Sequence, residues 1–178
     1  SDGSGKTGEL IANYIPLSRN IQFDKQSGED GTETATVTYT QNDYEPASVV
    51  APTRTGYTFG GYYSEEKGEG VRVVSAEGQW LANATDYTNA DGNWLKSAEN
   101  TTLYAYWIGA PYTVELNQEG AAKKGSTTSV VANFEGNMPA ITGDGALPTP
   151  PNGYAFMGYF DQRDGKGTQY YDAEGKSA

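Results

Sequence analysis

The feature that most constrains the fold of this chain is a block of residues that occurs twice, 97 positions apart. Residues 56–63 read Gly-Tyr-Thr-Phe-Gly-Gly-Tyr-Tyr, and residues 153–160 read Gly-Tyr-Ala-Phe-Met-Gly-Tyr-Phe. A spacing shared by several separate blocks predicts two tandem copies of one structural unit. Two shorter blocks keep this spacing without a gap: residues 68–70 with 165–167, and residues 75–78 with 172–175.

Each copy begins with two runs of strand-forming residues. In the first copy these runs are residues 21–24 and 34–40, and in the second copy they are residues 112–117 and 128–134. The run 34–40 alternates between threonines and residues that are apolar or aromatic, which is the period of a strand with one buried face. Glycines lie between the two runs of each copy and favour a turn.

The repeated block is followed in each copy by a charged, glycine-containing turn and a short strand, at residues 71–74 and 168–171. The first copy then ends on a closing strand, residues 101–107, with Leu103, Ala105 and Trp107 on the core side. Because the second copy shows no counterpart before Ala178, it is expected to be incomplete and to belong to a longer array.

Helix signals are weak, because no stretch of eleven or more residues carries a regular i, i+3, i+4 apolar pattern. Residues 41–49 and 81–87 are each long enough for a helical turn or two. We therefore predict a mostly β chain with about five short strands in a complete copy. The expected organisation is a leader or the end of a preceding unit at 1–19, a first unit at 20–109 with a loop insertion at about 77–100, and a second unit at 110–178.

Composition excludes several classes of function. The chain has no Cys and no His, so thiol nucleophiles, thiolate zinc sites and imidazole bases are absent. The formal net charge of −11, with scattered basic residues, makes nucleic acid and anionic membranes poor partners. No apolar stretch is long enough to insert into a membrane. No cofactor and no enzymatic activity are predicted.

Three short motifs have a functional interpretation and a simpler structural one. Residues 3–8, Gly-Ser-Gly-Lys-Thr-Gly, are similar to the end of a phosphate-binding loop but lack its preceding strand. The carboxylate pairs Glu65/Glu66 and Asp161/Asp164 have the residue types of a glycosidase, yet both fall in predicted hairpin turns. The turns at 91–93 and 161–164 offer oxygen ligands for Ca²⁺ without the spacing of an EF-hand, so ordinary Asx turns are favoured.

The aromatic residues divide into two groups. The chain contains 14 Tyr and 3 Trp, and exposed aromatic rings stack on sugars or form binding hot spots. Those within or beside the repeated block are expected to fill the cores: Tyr57, Phe59, Trp107, Tyr154 and Phe156. Those in the insertion or on a second sheet face are candidates for a binding surface: Trp80, Trp94, Tyr104 and Tyr106.

Residues 52–63, Pro-Thr-Arg-Thr-Gly-Tyr-Thr-Phe-Gly-Gly-Tyr-Tyr, and residues 102–107, Thr-Leu-Tyr-Ala-Tyr-Trp, resemble the Listeria–Bacteroides repeat, also called the internalin B-repeat. The second copy is similar to the same pattern from Tyr112 to about Gly175. The resemblance implies small β-grasp, ubiquitin-like units in secreted or surface-anchored bacterial proteins, with no chemistry of their own.

The resulting hypothesis is a non-catalytic module of the bacterial cell surface. It serves as a spacer or stalk, or as an adhesive domain that binds a protein partner. The alternative is a carbohydrate-binding module of a secreted polysaccharide-processing or glycan-binding protein. The alternative depends on the aromatic and Asn/Asp-rich insertion from Gln79 to Asn93.

Overall fold

The protein is described by a computed structural model that covers residues 8–39, 44–95 and 100–178. Strands dominate these ranges, and the regular helices within them are two single 3-10 turns, Glu66–Gly68 and Arg163–Gly165. The prediction of a mostly β chain is therefore confirmed. The backbone divides into two compact units, one comprising residues 1–53 and 59–107 and the other comprising residues 54–58 and 108–178.

The first unit is built on one six-stranded sheet. Its central pair is formed by the first and last strands, which run parallel, with Phe23 opposite Leu103. The strands are β1 (Ser18–Asp24), β2 (Thr34–Tyr39), β3 (Tyr44–Pro46), β4 (Tyr57–Tyr63), β5 (Arg72–Val74) and β6 (Thr101–Gly109). The order across the sheet is β3-β2-β1-β6-β4-β5.

Alternation decides which face of this sheet is buried. In β2, Ala35 and Val37 are buried while the threonines between them are exposed, because successive side chains of a strand point to opposite faces. The expected closing strand is present as β6, and its Leu103 and Ala105 are buried. The core of the first unit contains thirteen buried hydrophobic residues among those described, including Ile21, Phe23, Phe59, Tyr62, Val73 and Val74.

The insertion between β5 and β6 folds onto the core. Its described part, residues 77–95, contains turns and isolated bridges. Residues 81–87, which are long enough for a helical turn or two, form ordinary turns instead. Thr88, which is 3% exposed, holds one of these turns: its Oγ1 accepts from the Ala84 backbone N–H and donates to the Leu81 carbonyl. Of the other possible helical region, residues 44–46 form β3, and residues 41–43 lie outside the described residues.

The second unit contains two separate hairpins. One pairs β7 (Pro111–Glu115) with β8 (Ser129–Asn133), and the other pairs β9 (Tyr159–Phe160) with β10 (Gln169–Tyr171). Within residues 108–178 no strand lies between β7 and β9, whereas β6 lies between β1 and β4 in the first unit. Five hydrophobic residues of this unit are buried. Four of them form a small core, Leu116, Ile141, Ala146 and Tyr171, and the fifth is Ala132 of β8.

Local geometry recurs at the spacing of 97 residues. The Ser64 N–H donates to the Val71 carbonyl at 2.9 Å, and the Asp161 N–H donates to the Thr168 carbonyl at 3.1 Å. Gly61 and Gly158 have φ of +114° and +113°, a region that favours glycine. Both lie in hairpins with a register shift, and an added Cβ would run into the carbonyls of Val74 and Tyr171.

One core expectation for the second unit is wrong. The Tyr154 side chain is 76% exposed, whereas Phe156 is half-buried. In the first unit the motif aromatic Phe59 is covered by Trp107 of β6, with ring centroids 5.4 Å apart. Within residues 108–178 no strand takes the position of β6, so Phe156, the counterpart of Phe59, lacks this cover. The counterpart of Tyr154 is Tyr57, whose ring packs edge-on against Phe134 with centroids 5.3 Å apart.

Residues 8–17 form no strand, and their apolar side chains face solvent. Leu10, Ile11, Tyr14 and Ile15 are 99%, 83%, 88% and 80% exposed. At the end of the segment the Leu17 carbonyl accepts a hydrogen bond from the Tyr39 N–H at 2.8 Å. The interpretation of residues 1–19 as a leader or as the end of a preceding unit stays a prediction.

Candidate binding surface

Trp94 does not belong to a surface. Its side chain is 1% exposed, and its ring packs against Trp80 and Tyr87 with centroid distances of 5.8 Å in both cases. The turns around Thr88 and Asn89 direct the insertion back toward the sheet, and Thr88 forms a bridge with Trp94. We therefore assign Trp94 to the core of the first unit, in correction of the expectation that it is a surface residue.

Trp80 lies at the margin of the same core. Its indole N–H donates to the Ala47 carbonyl at 2.9 Å, and its ring lies 6.2 Å from that of Phe23. With its polar atom satisfied and its ring partly buried, Trp80 has little free surface for stacking on a sugar. The aromatic residues of the insertion thus contribute to the interior of the unit.

Tyr104 and Tyr106 lie on the opposite face of the sheet. They alternate in β6 with the buried Leu103 and Ala105, and both are half-exposed. The Tyr106 ring packs edge-on against Tyr63 of β4, with centroids 5.5 Å apart. The four predicted residues are therefore divided, with Trp80 and Trp94 on the core face and the two tyrosines on the outer face.

The outer face continues from these tyrosines across β1 and β2. The Thr36 hydroxyl donates to the Asn20 side-chain oxygen at 3.1 Å, and the Thr34 hydroxyl donates to Gln22 at 3.3 Å. In the parallel register Gln22 lies opposite Thr102, which places the polar ladder beside the tyrosines of β6. We define the outer face as Asn20, Gln22, Thr34, Thr36, Tyr63, Thr102, Tyr104 and Tyr106.

This outer face has the character of a rigid contact surface. Its residues stand on strands of one sheet, so their positions are fixed by backbone hydrogen bonds rather than by loop conformation. Tyrosine supplies a large contact area with few rotatable bonds, and the adjacent hydroxyl and amide groups supply hydrogen bonds. Sequence reasoning missed Asn20, Gln22 and Tyr63. Alternation in β1 carries a signal for Asn20 and Gln22. It carries none for Tyr63, because strict alternation from the buried Phe59 would place Tyr63 on the core face, and the register shift between Tyr62 and Tyr63 reverses this.

Titratable groups contribute little chemistry here. Burial raises the pKa of Tyr62 well above its usual range, and burial also raises the pKa of Tyr159, which lies 97 residues later. Both phenols stay neutral at physiological pH and point into their cores. No group of three or more acidic side chains suited to a metal ion occurs in the part of the chain that the structure describes.

The candidate catalytic and calcium-binding turns adopt ordinary turn geometry. Asn89 Oδ1 accepts from the backbone N–H groups of Asp91 and Asn93, which is an Asx turn at 89–93. Asp161 Oδ1 accepts from the Thr168 N–H at 2.9 Å and thereby closes the β9–β10 hairpin. Glu65 and Glu66 are exposed at the corresponding turn of the first unit. Residues 3–7 of the Gly-rich motif lie outside the described residues.

No helix among residues 8–39, 44–95 and 100–178 has the length and apolar character needed to cross a lipid bilayer. No family model matches the chain, and neither a curated protein nor a solved structure is significantly similar to it. The resemblance to the Listeria–Bacteroides repeat therefore stays a hypothesis that depends on the motifs themselves.

Proposed function

We propose that the chain is a non-catalytic module of a bacterial cell-surface protein, which spaces or presents a protein-binding face outside the cell. The observation that carries this proposal is the structural use of the repeated motif. In the first unit Phe59 packs against Tyr62 at 5.0 Å and against Trp107 at 5.4 Å. A motif whose aromatics fill a core marks a structural repeat rather than a site of bond-making.

The arrangement of the first sheet supports a β-grasp-like unit. Its terminal strands β1 and β6 are parallel neighbours at the centre. β2 pairs antiparallel with β1 on one side, and the antiparallel β4–β5 hairpin lies beyond β6 on the other. The recurrence of the β4–β5 turn geometry at β9–β10 supports the tandem reading. Both points agree with what the family resemblance implies.

The outer face is the part of the first unit best suited to a partner. Its tyrosines are half-exposed, and its polar groups are arranged in a ladder. A protein partner suits such a face, since tyrosine-rich patches are common in protein interfaces. The glycan-binding alternative is not favoured by the insertion on which it depended, because Trp94 is buried and the Trp80 indole N–H is already paired.

Localisation is tested by labelling intact cells of the source bacterium with an antibody against the 178-residue chain. Surface labelling that disappears after protease treatment of intact cells is the expected result. Labelling seen only after the cells are permeabilised would contradict the proposal.

Adhesion is tested with beads that carry either the native chain or a variant of its outer face. An adhesive module loses attachment to its target surface when Tyr104 and Tyr106 are both changed to Ser, and it keeps attachment in the matched control Tyr112→Ser. A spacer shows no attachment in any of the three. Attachment to purified polysaccharides that depends on Trp80 would instead establish the glycan-binding alternative.

A further inference from the structure

The second unit contains a groove along the line where the first unit has β6. Between β7 and β9 a groove of about 470 Å³ is lined by Val114, Leu116, Tyr159 and Tyr171. A second groove of about 530 Å³ adjoins it, and both are lined by Asn117 and Tyr159. The edges of β7 and β9 that face this groove have no strand partner in residues 108–178.

The adjoining groove corresponds to the position of Trp107 in the first unit. There the Trp107 ring packs on Phe59, and its indole N–H donates to the Lys25 carbonyl at 2.9 Å. The second unit lines its groove with Phe156, which lies 97 residues after Phe59, and with the segment from Asn117 to Ala121. In the first unit this place is occupied by one strand that carries a large aromatic residue, Trp107, near its end.

The exposed N-terminal segment has the sequence of such a strand. Residues 10–15 read Leu-Ile-Ala-Asn-Tyr-Ile, and residues 103–108 of β6 read Leu-Tyr-Ala-Tyr-Trp-Ile. The two segments are 93 positions apart, and the same spacing aligns Ile21 and Phe23 of β1 with Val114 and Leu116. Leu10, Ala12 and Tyr14 thus take the places of the three core-side residues of β6, namely Leu103, Ala105 and Trp107.

We propose that residues 8–15 of one copy of the chain add a strand between β7 and β9 of a second copy. The register follows from the first unit, where Phe23 lies opposite Leu103 and Asp24 lies opposite Tyr104. Leu10 of the donor then lies opposite Leu116, and its Tyr14 enters the groove beside Phe156. Addition of a strand satisfies two sheet edges and covers apolar side chains that are otherwise exposed.

The occupant is a second copy because the donor segment is on this chain and is unpaired in the described structure. Leu10 and Tyr14 are 99% and 88% exposed. Because donor and acceptor are different surfaces, one-way addition produces open chains, and reciprocal exchange produces a closed dimer. The inference does not depend on the proposed function, since self-association is measured on the purified chain.

Sedimentation over a wide range of protein concentration tests the proposal. The native chain is expected to gain mass with concentration, and Leu10→Asp is expected to weaken association at least about tenfold, because a buried leucine is replaced by a charge. Ile11→Asp is the matched control, since residue 11 faces away from the core in the same strand. A native chain that stays monomeric, or equal loss in both variants, would overturn the proposal.

Neither Leu10→Asp nor Ile11→Asp is expected to unfold the chain, so a difference between them reports on association. Both positions are more than 80% exposed, so neither substitution removes a side chain from the core of the first unit. The register also predicts a substitution that strengthens association. Glu9 of the donor lies opposite Glu115, and like charges on directly opposed strand positions weaken strand pairing. Glu9→Lys is expected to tighten association by about fivefold or less.

Engineered cysteines test the register itself, since the chain has no Cys. The double variant Ile11→Cys, Asn117→Cys places two thiols on directly opposed strand positions, within the range of a disulfide. Mild oxidation is expected to give covalent dimers and larger multimers. The control Ile11→Cys, Val131→Cys places the second thiol on β8, away from the groove, and is expected to give no series of multimers. An intrachain bridge in the first double variant would refute addition between copies.

Discussion

The same sequence motif occurs in both units, but the strands that surround it differ. In the first unit β6 separates β1 from β4, and thirteen hydrophobic residues among those described are buried. In the second unit the corresponding strands β7 and β9 have no strand between them within residues 108–178, and five hydrophobic residues are buried. Tyr62 is fully buried, whereas its counterpart Tyr159 is half-buried. The comparison shows that the geometry of the hairpin is set by local interactions, whereas the size of the buried core depends on the closing strand.

The largest expected difference in stability is between alanine substitutions of the two motif phenylalanines. Phe59→Ala removes a side chain that is 8% exposed and in contact with Tyr62 and Trp107, so we expect a loss of about 3–5 kcal/mol in the free energy of unfolding. Phe156→Ala removes a half-buried ring and is expected to cost about 1 kcal/mol.

Two spectroscopic measurements report separately on the unfolding of the two units. All three tryptophans, Trp80, Trp94 and Trp107, lie in the first unit, so their fluorescence during denaturant unfolding reports on that unit. Amide hydrogen exchange of β7–β10 reports on the second. Equal losses for the two phenylalanines would show that β6 does not govern the difference between the units.

The next largest loss of stability, caused by alanine at the hairpin glycines, is expected to be the same in both units. Gly61→Ala and Gly158→Ala force a Cβ onto the carbonyls of Val74 and Tyr171 at a φ that favours glycine. We expect each substitution to destabilise its unit by about 2–3 kcal/mol. Hydrogen exchange of the two hairpins measures this. A cost confined to the first unit would mean that the geometry of the second hairpin is not fixed locally.

A smaller effect separates the turn glycines. Gly68 and Gly165 share positive φ values of +78° and +68°, so alanine at either carries a backbone cost of about 1 kcal/mol. At Gly68 the new Cβ also meets the Tyr106 ring at 2.7 Å, while nothing lies within 4 Å at Gly165. Gly68→Ala is therefore expected to cost about 1 kcal/mol more than Gly165→Ala by thermal unfolding. A reversed order would contradict the packing of β6 on this turn.

The smallest effect concerns the buried phenols. The hydroxyls of Tyr62 and Tyr159 are buried without a hydrogen-bond partner among the described residues, so Tyr62→Phe and Tyr159→Phe are expected to stabilise by up to about 1 kcal/mol. Because burial raises the pKa of both phenols, their contribution to stability is complete below the unfolded pKa of about 10 and is lost as pH rises above it.

The direction of this pH dependence is checked by monitoring alkaline unfolding with circular dichroism. The native chain is expected to lose stability above pH of about 10, and Tyr62→Phe is expected to lose less of it. Tyr170→Phe, in which the ring is 43% exposed, serves as the control and is expected to leave the profile unchanged. A profile that is insensitive to Tyr62→Phe would contradict the burial of that phenol.

Much of the sheet is predictable from alternation in the sequence. The pattern of β2 identified Ala35 and Val37 as buried, and the pattern of β6 identified Leu103 and Ala105, because period-2 alternation is a property of each strand by itself. The candidate site was harder to predict. Trp94 was assigned to a surface because a loop insertion carries no periodic signal of which way its side chains point.

The sequence by itself determined most of the strands, the hairpin turns and their recurrence at 97 residues, since these depend on neighbours along the chain. It did not identify β3, which makes the sheet of the first unit six-stranded where about five strands were expected. The tertiary structure decided that β1 and β6 pair in parallel, that Trp94 is inside, and that Tyr154 is 76% exposed despite lying in the same motif as Tyr57. The physical reason is that burial depends on what covers a side chain, and the covering residues are distant in sequence: Trp107 packs on Phe59, and Phe134 packs on Tyr57.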